Sequence, residues 1–225
     1  MLYLGLLSGV IVGSVVAHVA GLNAWPVYIA TLVLIVPALA GARLLYVAAN
    51  WQVYRNDFSQ IWDRSQGGYI MYGGFPAMLI VSVPILHLLH LNFGAFWDVA
   101  IFTVLVGMFL TRIGCLLNGC CAGNPTQRWF GIYLPNPRRH WEKRVPTQLL
   151  EAGLAAVLLA CAVMLRPTVP FPAALFLLVS SGYACGRLVM EFAREREPQK
   201  AGFSLVHVIS LIICLLSVLT LTIYW

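Results

Sequence analysis

Apolar residues run in long stretches along this chain, interrupted at intervals by clusters of Gly, Pro and charged residues. The stretches fall at about residues 1–20, 26–50, 74–92, 96–117, 147–165, 172–193 and 203–224, each long enough to cross about 30 Å of hydrocarbon as an α-helix. Helices are the expected spanning elements because lipid cannot satisfy an open backbone hydrogen bond. The pattern predicts an all-α integral membrane protein, a single domain over 1–225 built as a bundle of about seven transmembrane helices. Met1–Ala20 has no basic leader and no A-x-A cleavage signal, so it reads as a retained first helix.

The connections sharpen this picture. Those near Asn23, Leu91 and Thr168 are short, whereas 51–73, 118–146 and 194–202 are longer and carry most of the charge. With seven crossings these three lie on one membrane face, and of the 14 Lys and Arg only Arg166 falls on the other. A positive-inside count would make the charged face cytoplasmic. The composition agrees with the class: 60% of residues are hydrophobic and 10% charged, too few polar groups to cover a soluble globule of 225 residues. The formal charge of +6 sits in loops between apolar spans, which points to lipid phosphates as partners and away from nucleic acid.

Ionisable residues inside membrane helices are costly and mark candidate sites. Arg43 closes the second stretch in Gly41-Ala42-Arg43, as a ligand or as a snorkelling helix-end cation. Gly67-Gly68 and Gly73-Gly74 flank Tyr69 and Tyr72; paired glycines let backbone approach a ligand and offer N–H groups to an anion. The densest block runs from Arg112 through Asn118 and Gly123 to Thr126, where an arginine able to grip phosphate in a fork is followed by a glycine-rich turn. In the sixth stretch Tyr183, Arg187, Glu191 and Arg194 follow at helical spacing on one face, which should turn inward. Pro146-Thr147 opens the fifth helix, placing Gln148 and Glu151 a turn apart near the charged face. His87 and His90 read as satisfied polar residues. Cys161, Cys185 and Cys214 read as ordinary buried thiols. The spacing of Cys115, Cys120 and Cys121 does not match a structural zinc motif, so no metal is expected, although a thiol redox role stays open.

These blocks, in this order over about residues 40–200, resemble the prolipoprotein diacylglyceryl transferases of bacterial inner membranes. The resemblance implies a seven-helix transferase that moves the diacylglyceryl group of phosphatidylglycerol, or a similar anionic phospholipid, to the lipobox cysteine of a prolipoprotein signal peptide or to another acceptor. It implies no cofactor and a site facing the periplasm, against the positive-inside count. Arg112 and Arg187 match its essential arginines, with Tyr183 and Glu191 in support. Arg43, Gly73, Gly74, Asn118, Gly123, Gln148 and Glu151 complete the expected lipid site. Tyr72 stands where the family has a histidine before the second Gly-Gly, Val145 where a histidine precedes Pro-Ser-Gln, and Cys115 and Cys120 where asparagine and glutamate are usual. A phenol of ordinary pKa near 10 is a poorer base than imidazole. That departure leaves two other classes of reading: an anionic-lipid-binding protein without turnover, and a thiol redox protein using the cysteine cluster.

Overall fold

The computed structural model of the protein describes residues 2–55, 61, 71–135, 140–193 and 205–224. The helices are α1 (Leu2–Val19), α2 (Ala24–Ala49), the short α3 (Trp51–Tyr54), α4 (Met71–Leu88), α5 (Phe93–Leu117), α6 (Thr147–Leu165), α7 (Ala174–Glu191) and α8 (Leu205–Tyr224). A 3-10 turn, Arg166–Thr168, follows α6. Among the described residues, each apolar stretch read from the sequence thus contains a long helix. Five helices have the length and composition to cross a membrane: α2, α5, α6 with its 3-10 turn, α7 and the main part of α8. Two shorter apolar helices, Tyr3–Val19 and Gly73–Leu88, accompany them among the described residues. Many of their aliphatic side chains, Ile80, Val157 and Leu215 among them, remain exposed, as lipid-facing positions must. This is an all-α, multi-pass membrane protein.

Two expectations need correction. The third long helix is placed at about 74–92 by hydropathy, but α4 runs Met71–Leu88: Gly73 lies in its first turn and not in the preceding connection, and the chain turns away before His90, which holds φ 55°. The 118–146 connection, left without structure by the hydropathy pattern, contains an antiparallel hairpin of β1 (Ile132–Pro135) and β2 (Trp141–Arg144), with Ile132 opposite Arg144 and Pro135 opposite Trp141.

The chain divides into two compact units, Gly21–Phe93 and Met1–Ala20 together with Gly94–Trp225. In the first, α2 and α4 meet through small residues. A Cβ at Gly41 would stand 2.5 Å from both the Gly73 carbonyl and the Ala77 methyl, and one at Gly74 would strike the Ala38 carbonyl. Lipid supplies no hydrophobic drive between helices, so such close backbone approach is what holds them. Gly41→Val forces the pair apart and should cost about 1–3 kcal/mol, visible as a lowered thermal midpoint in detergent with helical content retained.

In the second unit, Gly5, Gly9 and Gly13 recur every four residues along α1. Their added Cβ atoms would meet Gly107 or Thr103 of α5, a small-residue seam of the same kind. Asp98, a carboxylate within α5, caps the start of α7: its Oδ2 accepts from the Ala173 N–H and its Oδ1 from the Phe176 N–H, both at 2.8 Å. It satisfies two amides that the helix itself leaves open and sits at the positive end of the α7 dipole. Ala173 holds φ 82° to present its amide. α7 packs against both α6 and α8, with Leu154 of α6 lying over Gly186.

Candidate functional site

Three helices of the larger unit bring their charged residues to one point. Arg112 comes from the last turns of α5, Glu151 from the second turn of α6, and Arg187 and Glu191 from the end of α7. The Glu151 carboxylate bridges both arginines: Oε2 lies 2.5 Å from Arg112 Nε and Oε1 2.7 Å from Arg187 Nη1. Arg187 Nη2 reaches Glu191 Oε2 at 3.1 Å, one helical turn along α7. Two guanidinium groups and two carboxylates therefore balance in a buried cluster, the condition under which charges survive away from water.

The two arginines are not equivalent. Arg187 is 3% exposed and has both terminal nitrogens on carboxylates. Arg112 is 15% exposed, and among the described residues only its Nε has a partner. Its terminal nitrogens remain as a forked donor pair suited to a phosphate or carboxylate.

A loop wraps this cluster. After α5 the chain turns at Gly119 (φ 66°) and Cys121 (φ 64°). Two side chains from the first turn of α6 then hold its carbonyls: Gln148 Nε2 donates to Cys120 O at 2.6 Å, and Thr147 Oγ1 donates to Cys121 O at 2.7 Å. Gln148 is 1% exposed, and its Oε1 has no hydrogen-bond partner among the described residues, leaving one buried acceptor at the base of the loop. Gly123 donates to Val145 O at 2.9 Å, and its carbonyl accepts from Arg144 Nε at 2.8 Å. A Cβ there would collide with the Ala193 carbonyl, so this glycine is required by backbone crossing and not by an unusual φ. Asn124 completes the tie with a bond from its N–H to Ala193 O at 2.9 Å, just past Glu191.

The structure thus joins Arg112, Gln148, Glu151, Arg187, Glu191 and Gly123 in one assembly. Asn118 lies exposed at the end of α5, and Tyr183 lies half-buried one turn before Arg187. Arg43, Gly73 and Gly74 belong to the other compact unit. There Arg43 is buried, with Nε donating to Ile61 O at 2.7 Å and its guanidinium 5.6 Å from the ring centres of Tyr46 and Tyr54. Gly73 and Gly74 pack on α2 as described above. The Tyr72 side chain, Gly67-Gly68-Tyr69 and Arg194 lie outside the described residues. Sequence reasoning passed over Arg144, whose side chain is 1% exposed and also pairs with Glu142 at 3.3 Å. It likewise passed over the Thr147 hydroxyl; a hydrophilic helix start carries no mark of which carbonyl it will hold.

The cysteines at the rim, Cys115, Cys120 and Cys121, are unbridged thiols. Burial pushes the Cys120 thiol above its ordinary range, reinforced by the adjacent Cys121, so at neutral pH it is protonated and adds no charge to the loop.

A family model described as prolipoprotein diacylglyceryl transferase matches residues 1–223. The chain belongs to that family. A relative named phosphatidylglycerol–prolipoprotein diacylglyceryl transferase, from Dehalococcoides mccartyi, is 29% identical over 192 residues, covering 84% of this chain and 73% of its own. Proteins of the same name from Thermosynechococcus vestitus and Clostridioides difficile are 26% and 25% identical over 202 and 212 residues. They cover 87% and 92% of this chain, and 72% and 82% of their own. The prolipoprotein diacylglyceryl transferase match runs through every element of the arginine cluster, from α5 to α7.

Proposed function

We propose that this protein transfers the diacylglyceryl group of phosphatidylglycerol to the lipobox cysteine thiol of a prolipoprotein, in the inner membrane of a bacterium. Its five long helices, with α1 and α4, make seven spans, and the arginine cluster faces the periplasm. The observation that carries this reading is the open fork of Arg112, held in place by the buried Glu151.

In this mechanism the lipid phosphate docks on the terminal nitrogens of Arg112. The acceptor sulfur attacks the diacylglyceryl carbon bonded to the phosphate oxygen. An S–C bond forms, the C–O bond breaks, and glycerol phosphate leaves with the electron pair. The thiol proton ends in water or on the released phosphate. Negative charge gathers on the leaving group in the transition state, and a preorganised guanidinium stabilises it there without reorganisation. Arg187 acts through Glu151 as a positioning residue, its donors already committed to carboxylates. Gln148 Oε1 supplies the acceptor for a headgroup hydroxyl.

The test is purified protein in micelles with a lipobox peptide, read by mass spectrometry. Phosphatidylglycerol should add one diacylglyceryl mass to the peptide cysteine, and phosphatidylcholine should add none. An unmodified peptide while phosphatidylglycerol co-purifies would sink the transfer to this acceptor.

A further inference from the structure

Outside the arginine cluster, the most concentrated chemistry is the sulfur group at its rim. The Sγ atoms of Cys115, Cys120 and Cys121 all lie within 4.8 Å of one another. The Cys120 and Cys121 sulfurs are 3.7 Å apart. Two thiolates on one tetrahedral zinc, each with a Zn–S bond of about 2.3 Å, stand about 3.8 Å apart. The linear spacing gives no hint of this, because Cys115 ends a helix while the other two follow a turn that doubles the chain back over it.

Three features show that the arrangement is held in place before any ion arrives. Cys121 adopts φ 64°, a conformation unfavourable for a side chain bearing a Cβ, and such outliers persist where the surroundings impose them. Its carbonyl and that of Cys120 are fixed by Thr147 and Gln148. The Cys120 amide is bonded to Cys115 O at 3.0 Å, which ties the turn to the helix end. Cys121 is exposed while Cys115 and Cys120 are partly shielded, so an ion has a route in and a fourth position open to water or a small ligand.

We infer that Cys115, Cys120 and Cys121 form a three-thiolate site for a soft divalent metal ion of the zinc type. Three sulfur donors select such ions over magnesium or calcium, which take oxygen ligands. Binding displaces the thiol protons to solvent and leaves three thiolates on the ion. Its position gives it a structural role. Cys115 lies one turn beyond Arg112 on α5, and the two residues that hold the turn precede Glu151 by three and four positions on α6. A bound ion would clamp the end of α5 to the start of α6, the two elements whose side chains make the Arg112–Glu151 pair. The transfer chemistry does not pass through it, so the site can be tested independently of activity.

The experiment uses the full chain in detergent, reduced and stripped of metal, titrated with cobalt(II) under anaerobic conditions. Thiolate-to-cobalt charge-transfer absorption and tetrahedral visible bands should rise to saturation at one equivalent per chain and vanish on addition of zinc. Cys120→Ser and Cys121→Ser should each lose the bands, while Cys161→Ser keeps them. Because a serine variant could misfold, the unaltered protein is also alkylated with and without zinc. Modification of Cys121, located by peptide mass, should be on the order of tenfold slower with the ion bound. An absent cobalt spectrum, or alkylation indifferent to zinc, would overturn the site. Bands that survive when Cys115→Ser, Cys120→Ser and Cys121→Ser are combined would overturn it too, moving the ion elsewhere, for example to Cys185 and Cys214, whose sulfurs are 3.4 Å apart.

Discussion

Arg112→Ala should lower the rate of diacylglyceryl transfer by about 10²–10³-fold, the loss expected when one preorganised charge-stabilising donor is removed. The fold should survive, because Arg112 is the more exposed arginine and contacts Glu151 through Nε alone among the described residues. After its removal Glu151 still has Arg187 at 2.7 Å, so no carboxylate is stranded. Arg112→Lys separates charge from geometry: an ammonium restores positive charge but cannot reproduce the Nε contact to Glu151 together with a two-nitrogen fork to phosphate. It should recover less than a tenth of the lost activity, by order of magnitude. Initial rates of peptide mass gain at saturating lipid distinguish these cases. A lysine variant as fast as the unaltered protein would mean that charge suffices and that the fork has no role.

Glu151→Ala should produce the largest loss of stability of any single change in the cluster. The carboxylate is 1% exposed and stands between two guanidinium groups. Deleting it leaves Arg112 and Arg187 close together without the carboxylate that bridges them, while Glu191 stays on Arg187. Breaking a buried pair by removing one partner costs about 3–5 kcal/mol, mainly because the remaining charge is uncompensated. Glu151→Gln keeps the shape and an acceptor oxygen but loses the charge, so its midpoint should fall between the two. Thermal unfolding in one fixed detergent is the measurement. An alanine variant that melts with the unaltered protein would show that the arginines find other partners and that Glu151 is not what holds the fork.

Much of this architecture is legible in the chain because lipid imposes a simple rule on it. A stretch able to span must be apolar and helical, and α6 begins and ends at the residues that hydropathy indicates. The α4 boundary escaped because glycine pairs read as loops in a scale built on water; inside a membrane they are the residues that let α2 and α4 touch. Arg112, Glu151, Arg187 and Glu191 stand out in the chain as candidate site residues because intramembrane charge is rare. That they join through one bridging carboxylate was not, since it depends on how three helices meet. Asp98 shows the limit of the same rule: it is an ionisable residue in a spanning helix, and its task is to cap α7. Arg144 and Thr147 act through contacts to loop carbonyls that leave no periodic trace.

In the proposed mechanism the Arg112 fork is the anion-binding element of a lipid site. Lipid retention tests it most directly: the protein and its Arg112→Ala variant are equilibrated in micelles holding equal phosphatidylglycerol and phosphatidylcholine, and bound lipid is counted by native mass spectrometry. Selective retention of phosphatidylglycerol by the unaltered protein, lost in the variant, is the predicted result. Equal retention of phosphatidylglycerol by both proteins would contradict it and place the phosphate on other residues.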